Sequence, residues 1–77
     1  MDEVFLPPQG IDHIRQRLRK LEQIELVKIA ARLRSIVDQG SAGYAILKEM
    51  KSEVEKEINE LKEVLANAVV VDNKARV

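Results

Sequence analysis

The sequence predicts an all-α fold: a two-helix antiparallel coiled-coil hairpin. Three observations carry this. Two long segments space their apolar side chains three and four residues apart, the period of a helical seam. Between them, Gln39-Gly40-Ser41-Ala42-Gly43-Tyr44 holds two of the chain's three glycines and is the one evident break between residues 11 and 68. Finally, 34% of the residues are charged while Phe5 and Tyr44 are the sole aromatics, a composition typical of long helices.

The totals narrow the function classes. A chain of 77 residues makes one small domain with little stability margin unless its packing is very regular. With no cysteine, neither a disulfide framework nor a thiolate metal site is available, and His13 alone builds no metal centre. The net charge is zero, so wholesale attraction to nucleic acid is not indicated. No apolar run approaches the roughly 20 residues of a membrane span. The start, Met1-Asp2-Glu3-Val4-Phe5-Leu6, is too acidic and too poor in apolar residues for a signal peptide. A soluble cytoplasmic protein with no membrane contact is the expectation.

Residues 1–10 read as an extended lead-in. Pro7-Pro8 restricts the backbone and Gly10 releases it, so a helix is expected from Ile11, with Asp12 satisfying a free N–H. Phe5 and Leu6 are candidates to fold back over the open end of the hairpin; a disordered tail is the alternative. The hairpin itself spans 11–68. Its first helix, 11–38, carries Ile11, Ile14, Leu18, Leu21 and Ile24, then Leu26 or Val27, Ile29, Ala30, Leu33, and Ile36 or Val37. The repeat is disturbed near Ile24 to Ile29, where the stripe widens. The tip is 39–43, and the second helix, 42–68, carries Leu47, Met50, Val54, Ile58, Leu61, Leu65 and Ala68. This stripe also contains one extra residue relative to strict heptads. Folding the arms about the tip pairs Ile36 with Leu47, Leu33 with Met50, Ile29 with Val54 and Leu18 with Leu65, and brings Ile14 toward Ala68. Residues 69–77 form an exit segment. Val69-Val70-Val71 disfavours helix and Asp72-Asn73 signals a turn. This is either a linker toward a further C-terminal domain or a tail packing beside Val4-Phe5-Leu6.

The charged residues are distributed unevenly. Residues 11–38 hold seven basic side chains against four acidic, and 42–68 hold four against six. Arg15, Arg17, Arg19 and Lys20 are expected to face Glu60 and Glu63 across the hairpin as a solvated, ion-paired surface. Arg32, Arg34 and Lys48 cluster nearer the tip, where they form either an ordinary solvated face or a patch for a phosphate or nucleic-acid end. Tyr44 either plugs the tip against Ile36 or Val37, or projects to stack on a base or a partner. Asp38 and Glu49 are the nearest acids to the turn, and both read as surface residues rather than metal ligands. No nucleophile-and-base pair or phosphate-cradling glycine loop is present, so no catalytic residue, metal or cofactor is expected and the chain does not read as an enzyme.

Two end motifs add a resemblance that covers essentially the whole chain. Phe5-Leu6-Pro7-Pro8-Gln9-Gly10-Ile11 is similar to the Phe-Leu-Thr-x-x-Gly that opens the N-terminal coiled-coil domain of bacterial Gre (GreA/GreB) transcript-cleavage factors. Leu65-Ala66-Asn67-Ala68-Val69-Val70-Val71-Asp72 resembles that family's Leu-x-Asn-Ala-x-Val-Ile-Asp. The resemblance implies a hairpin inserted into the secondary channel of RNA polymerase. In the family, acidic tip residues help hold a second catalytic magnesium and promote hydrolysis of backtracked RNA. Its tip reads His-Gly-Asp-Leu-x-Glu-Asn-Ala-Glu-Tyr; here Gly40-Ser41-Ala42-Gly43-Tyr44 stands in that place. Aligning Gly40 and Tyr44 removes Asp-Leu-x-Glu and puts Gly43 at the family's other tip glutamate. That is a loss of about four residues, roughly one helical turn, which leaves the phase of the seam intact. Tyr44 matches the family tyrosine, and Lys48 a basic position associated with the RNA 3′ end. Val37 stands where the family has a tip-proximal arginine, for which Arg34 is the candidate substitute.

The expected function is therefore a Gre-like elongation regulator. It would bind RNA polymerase through its tip residues Gly40, Ser41, Gly43, Tyr44, Lys48, Arg34 and Arg32, contact the RNA 3′ end, and fail to stimulate cleavage because the carboxylates are missing. It would act as a channel blocker or as a competitor of active Gre factors, its FKBP-like C-terminal domain being absent from these residues. The alternative is a self-associating or partner-docking hairpin with a structural role.

Overall fold

The computed structural model describes residues 3–70. Their order is β1 (Val4–Leu6), α1 (Pro8–Lys20), a π-helical segment (Leu21–Glu25), α2 (Leu26–Ser35), α3 (Ala42–Ala66) and β2 (Ala68–Val70). The first three helical pieces run on without a break as one arm, and α3 is the other. Together they make the predicted hairpin, a slender body of 62 × 23 × 13 Å. The fold class is thus helical, with a small pair of strands added at the base.

The first arm starts earlier than the sequence suggests. Pro7 is the N-cap and Pro8 opens the helix, because proline's fixed φ suits the first helical position, where its missing N–H is not needed. Ile11 N–H donates to the Pro7 carbonyl at 3.2 Å. Asp12, expected as the cap, lies one turn further in and is exposed. Gly10 lies in the first turn of α1, close to the chain arriving from β1. A Cβ there would sit 3.4 Å from Pro7 Cδ and 3.7 Å from Leu6 Cδ2.

The widened stripe in the first arm has a structural cause. Within Leu21–Glu25 the helix opens to π geometry, and Leu26 N–H donates to the Leu21 carbonyl, five residues back. Such a bulge absorbs one extra residue without ending the helix. Ile11, Ile14, Leu18 and Leu21 line the seam before it, while Leu26, Ile29, Leu33 and Ile36 line it afterwards, each one place later than an unbroken repeat would put it. The choice between Leu26 and Val27 follows: Leu26 faces in and Val27 is exposed.

The second arm corrects an expectation. Its inward positions are Tyr44, Leu47, Lys51, Val54, Ile58, Leu61 and Leu65, strict steps of three and four with no extra residue. Met50, expected on the seam opposite Leu33, is 41% exposed, and Lys51 takes the seam place. A lysine can do this because its four-carbon stem lies along apolar surface while the ammonium reaches water. The irregularity therefore belongs to the first arm alone.

Among the described residues, the buried side chains are Ile11, Leu21, Ile29 and Ile58. Two helices cannot enclose more than a single file of side chains, so stability rests on a few such residues at about 1.5–3 kcal/mol each. Arg17 Nε donates to Glu57 Oε2 at 2.9 Å and Lys62 Nζ lies 3.3 Å from Glu22 Oε2. These two pairs cross the hairpin: Arg17 meets Glu57 rather than the expected Glu60 or Glu63, and the second pair runs the other way, with the acid on the first arm and the lysine on the second. The Glu57 carboxylate, through its hydrogen bond and its charge, pushes the Arg17 guanidinium above the usual arginine value.

At the open end, α3 closes on Asn67, whose N–H donates to the Glu63 and Val64 carbonyls and whose Nδ2 donates to Glu63 O at 2.8 Å. The helix thus stops at Ala66, and Ala68, which the periodicity places on the second arm, begins β2 instead. β1 and β2 pair in parallel, with Val4 opposite Ala68, Phe5 opposite Val69 and Leu6 opposite Val70. Val4 N–H also donates to Asn67 O at 2.9 Å. Of the two readings of the exit segment, the tail beside Val4-Phe5-Leu6 describes residues 68–70. The lead-in folds back as expected and half-buries Leu6, but Phe5 points outward and is 64% exposed. The expectations for Val71 and the Asp72-Asn73 turn lie outside the described residues.

Candidate binding tip

The periodicity carries both arms to the tip as helix, but the first stops short. Ser35 Oγ donates to the Arg32 carbonyl at 2.7 Å, and Ile36 turns to an extended conformation with φ −86° and ψ 122°. The β-branched Ile36-Val37 pair favours that geometry over another helical turn. Helix therefore ends at Ser35 rather than Asp38, and the turn is longer than 39–43. Ile36 remains half-buried, whereas Val37 is 98% exposed.

Asp38 organises the turn itself. Its Oδ1 accepts from Gly40 N–H at 2.9 Å, and its carbonyl accepts from Ser41 N–H at 3.2 Å. An aspartate bonding to the backbone two residues on is a standard turn device. Ser41 then caps α3, its Oγ accepting from Tyr44 N–H at 3.2 Å, as N-cap serines do. No residue here takes positive φ, so neither Gly40 nor Gly43 is required for backbone reasons. A Cβ on Gly43 would meet nothing within 4 Å.

The remaining tip residues divide in two. Tyr44 is half-buried in the first turn of α3, and Lys48, one turn on, holds Nζ 5.8 Å from its ring centroid, within reach of a cation–π contact. This joins the two residues, Tyr44 and Lys48, that matched family positions. Arg32 and Arg34 lie in the last turn of α2, exposed. Their charge complements the negative end of that helix; the ion pairs found among the described residues join other partners, Arg17 with Glu57 and Lys62 with Glu22. Gly40 and Ser41 serve the turn through the bonds above. Sequence reasoning placed Val37 near the tip but as a choice with Ile36 for the last seam position of the first helix, whereas it lies beyond the helix and is exposed; the Asp38-x-Gly40 spacing that holds the loop was readable. Among the described residues, no three His, Asp or Glu side chains converge.

The sequence profile described as transcription elongation factor, N-terminal, the GreA/GreB N-terminal domain, fits residues 4–70. The chain belongs to that family. Comparison with curated proteins and with solved structures returned no match. The Gre match runs from the first residue of β1 to the last of β2, so the base pair lies inside the family domain. No helix among the described residues is long and apolar enough to cross a membrane.

Proposed function

We propose that this Gre-family domain is a cytoplasmic regulator of RNA polymerase that enters the secondary channel tip first and occupies it without stimulating transcript cleavage. Asp38 carries the proposal. It is the one acid in the turn, and one of its two carboxylate oxygens, Oδ1, is already taken by Gly40 N–H at 2.9 Å. Two-metal hydrolysis needs carboxylates that can reach a metal from the tip, and Gly43 supplies none where the family has its glutamate. The domain is therefore not an enzyme and needs no resident metal or cofactor. The slender 23 × 13 Å cross-section suits passage into a channel, and Arg32, Arg34 and Lys48 give the approach a positive rim near an RNA 3′ end.

The test is RNA cleavage in backtracked polymerase complexes, alone and against an active Gre factor. The expected result is no stimulation alone and dose-dependent inhibition of the active factor. Robust cleavage with this chain alone would refute the no-cleavage reading, and failure to compete at any concentration would refute channel occupancy. One observation favours a second reading, self-association: Ile46 and Met50, one turn apart on α3, are both exposed. A strict monomer in sedimentation at high concentration would remove it.

A further inference from the structure

The two broad sides of the hairpin differ in charge. On the side where Arg17 bridges to Glu57, the outward positions recur by heptads, shifted by the extra residue where the first arm crosses the π segment. On the first arm they fall at Arg17, Lys20, Lys28 and Arg32, with Glu25 the one acid. On the second they fall at Glu53, Glu57 and Glu60, with no base, and at the exposed Ile46 and Met50. The opposite side has no such division. Each arm there mixes both signs, as in Arg19 and Glu22 on the first and Lys48 and Glu55 on the second.

We propose that the divided side is a self-association face. A second copy of the chain stacks on it in parallel, tips at the same end, so that each basic first arm lies on its partner's acidic second arm. This deepens the self-association reading above and rests on it. Charge complementarity names the occupant. A twofold axis running along the hairpin between the copies sets first arm against second arm, and opposite signs meet on both flanks. Stacking tip to base would lay the two basic arms on each other. The charges are available for this. Lys20, Lys28, Arg32, Glu53 and Glu60 are exposed, and none belongs to the two ion pairs found among the described residues. In the register those two pairs set, Lys28 comes level with the partner's Glu53 and Lys20 with the partner's Glu60, to within about one helical turn.

Exposed ion pairs alone stabilise little, and Ile46 and Met50 supply the apolar part. At 58% and 41% exposure they lie on this same side near the tip, level with Arg32, whose aliphatic stem covers apolar surface well. The area is also adequate. Two arms side by side along the 25 residues of α3 present about 750 Å² per copy, at about 1.5 Å per residue and about 10 Å per helix width. A standard interface takes roughly 800 Å² from each partner.

The experiment measures association of the full chain by sedimentation at low and high salt. The samples are the wild type, Lys28→Glu, Glu53→Lys, an equimolar mixture of those two variants, and Glu55→Lys on the opposite side. The wild type should dimerise, and less tightly as salt rises. Each single reversal sets like charges together twice in the symmetric pair, and should weaken association about ten- to a hundredfold at low salt. Mixing Lys28→Glu with Glu53→Lys makes both contacts attractive again and should restore dimers, while Glu55→Lys should associate like the wild type. Helical content by circular dichroism should be the same in every variant, which separates lost association from lost folding. A strict wild-type monomer overturns self-association itself. A wild-type dimer that tolerates either reversal, or a mixture of folded variants that stays monomeric, overturns the charge-matched face while leaving self-association intact.

Discussion

The π segment allows a sharp test of how the seam is kept in phase. Deleting Gln23, an exposed residue within Leu21–Glu25, removes the one extra residue and lets the arm close into continuous α-helix. Leu26, Ile29 and Leu33 then fall on the places an unbroken repeat assigns them, so the seam survives. The expected change in stability is within about 1 kcal/mol of wild type, on the side of a gain because π turns are intrinsically unfavoured. Inserting one alanine after Gln23 does the opposite. It rotates everything distal by about 100°, taking Leu26, Ile29 and Leu33 off the seam at about 1.5–3 kcal/mol each. The total, about 5–9 kcal/mol, compares with a whole stability of about 4–12 kcal/mol for a chain of this size. The insertion variant should lose its cooperative melt in far-UV circular dichroism and urea titration, while the deletion variant keeps it. If the deletion destabilises as much as the insertion, the phase argument is wrong.

Three further outcomes follow from the same geometry. Ser41→Ala removes the cap on α3 and should cost about 1 kcal/mol by urea denaturation, with Ser41→Gly costing less. Lys51→Leu fills a seam place with a side chain that need not reach water and should raise the melting temperature, whereas Met50→Lys, on the exposed neighbour, should change it little; the reverse order would refute the seam assignment. Arg17→Ala should lower stability slightly at low salt and not at high salt, as exposed ion pairs do. Because Glu57 raises the Arg17 value, the arginine's contribution is full below its unfolded value and fades only as pH climbs through the folded one. Titration between about pH 6 and pH 9 should therefore leave the difference between Arg17→Ala and wild type unchanged.

Where the sequence spoke in periods, it was legible. The three-and-four spacing of Ile11, Ile14, Leu18 and Leu21 defined one arm, and that of Val54, Ile58, Leu61 and Leu65 defined the other. The disturbance near Ile24 was visible as a wider stripe, though its form, a helix opened by one residue, depends on backbone bonds that side-chain type does not encode. At Met50 and Lys51 the apolar residue was the natural choice, but strict phase placed the lysine stem inward instead. Val37 went astray for a related reason: its apolar character continued the pattern past Ser35, where the helix had already ended. Three-residue strands such as Val4–Leu6 and Ala68–Val70 are too short for an alternation to show. Of the tip residues, the pairing of Tyr44 with Lys48 could be read from their i, i+4 spacing, and the turn bonds of Asp38 from its distance to Gly40.

The parallel pairing of β1 with β2 has a mechanical consequence. Strands that simply continued two antiparallel arms would also be antiparallel, so the chain must reverse direction at one strand–helix junction. Because both strands point the same way, tension that pulls β1 backward from its start and β2 forward from its end slides one along the other. The ladder bonds between them are then loaded together in shear rather than opened one at a time like a zipper. A clasp of three residues a side resists more under that load than its size suggests, and it guards the arms behind it from being peeled apart.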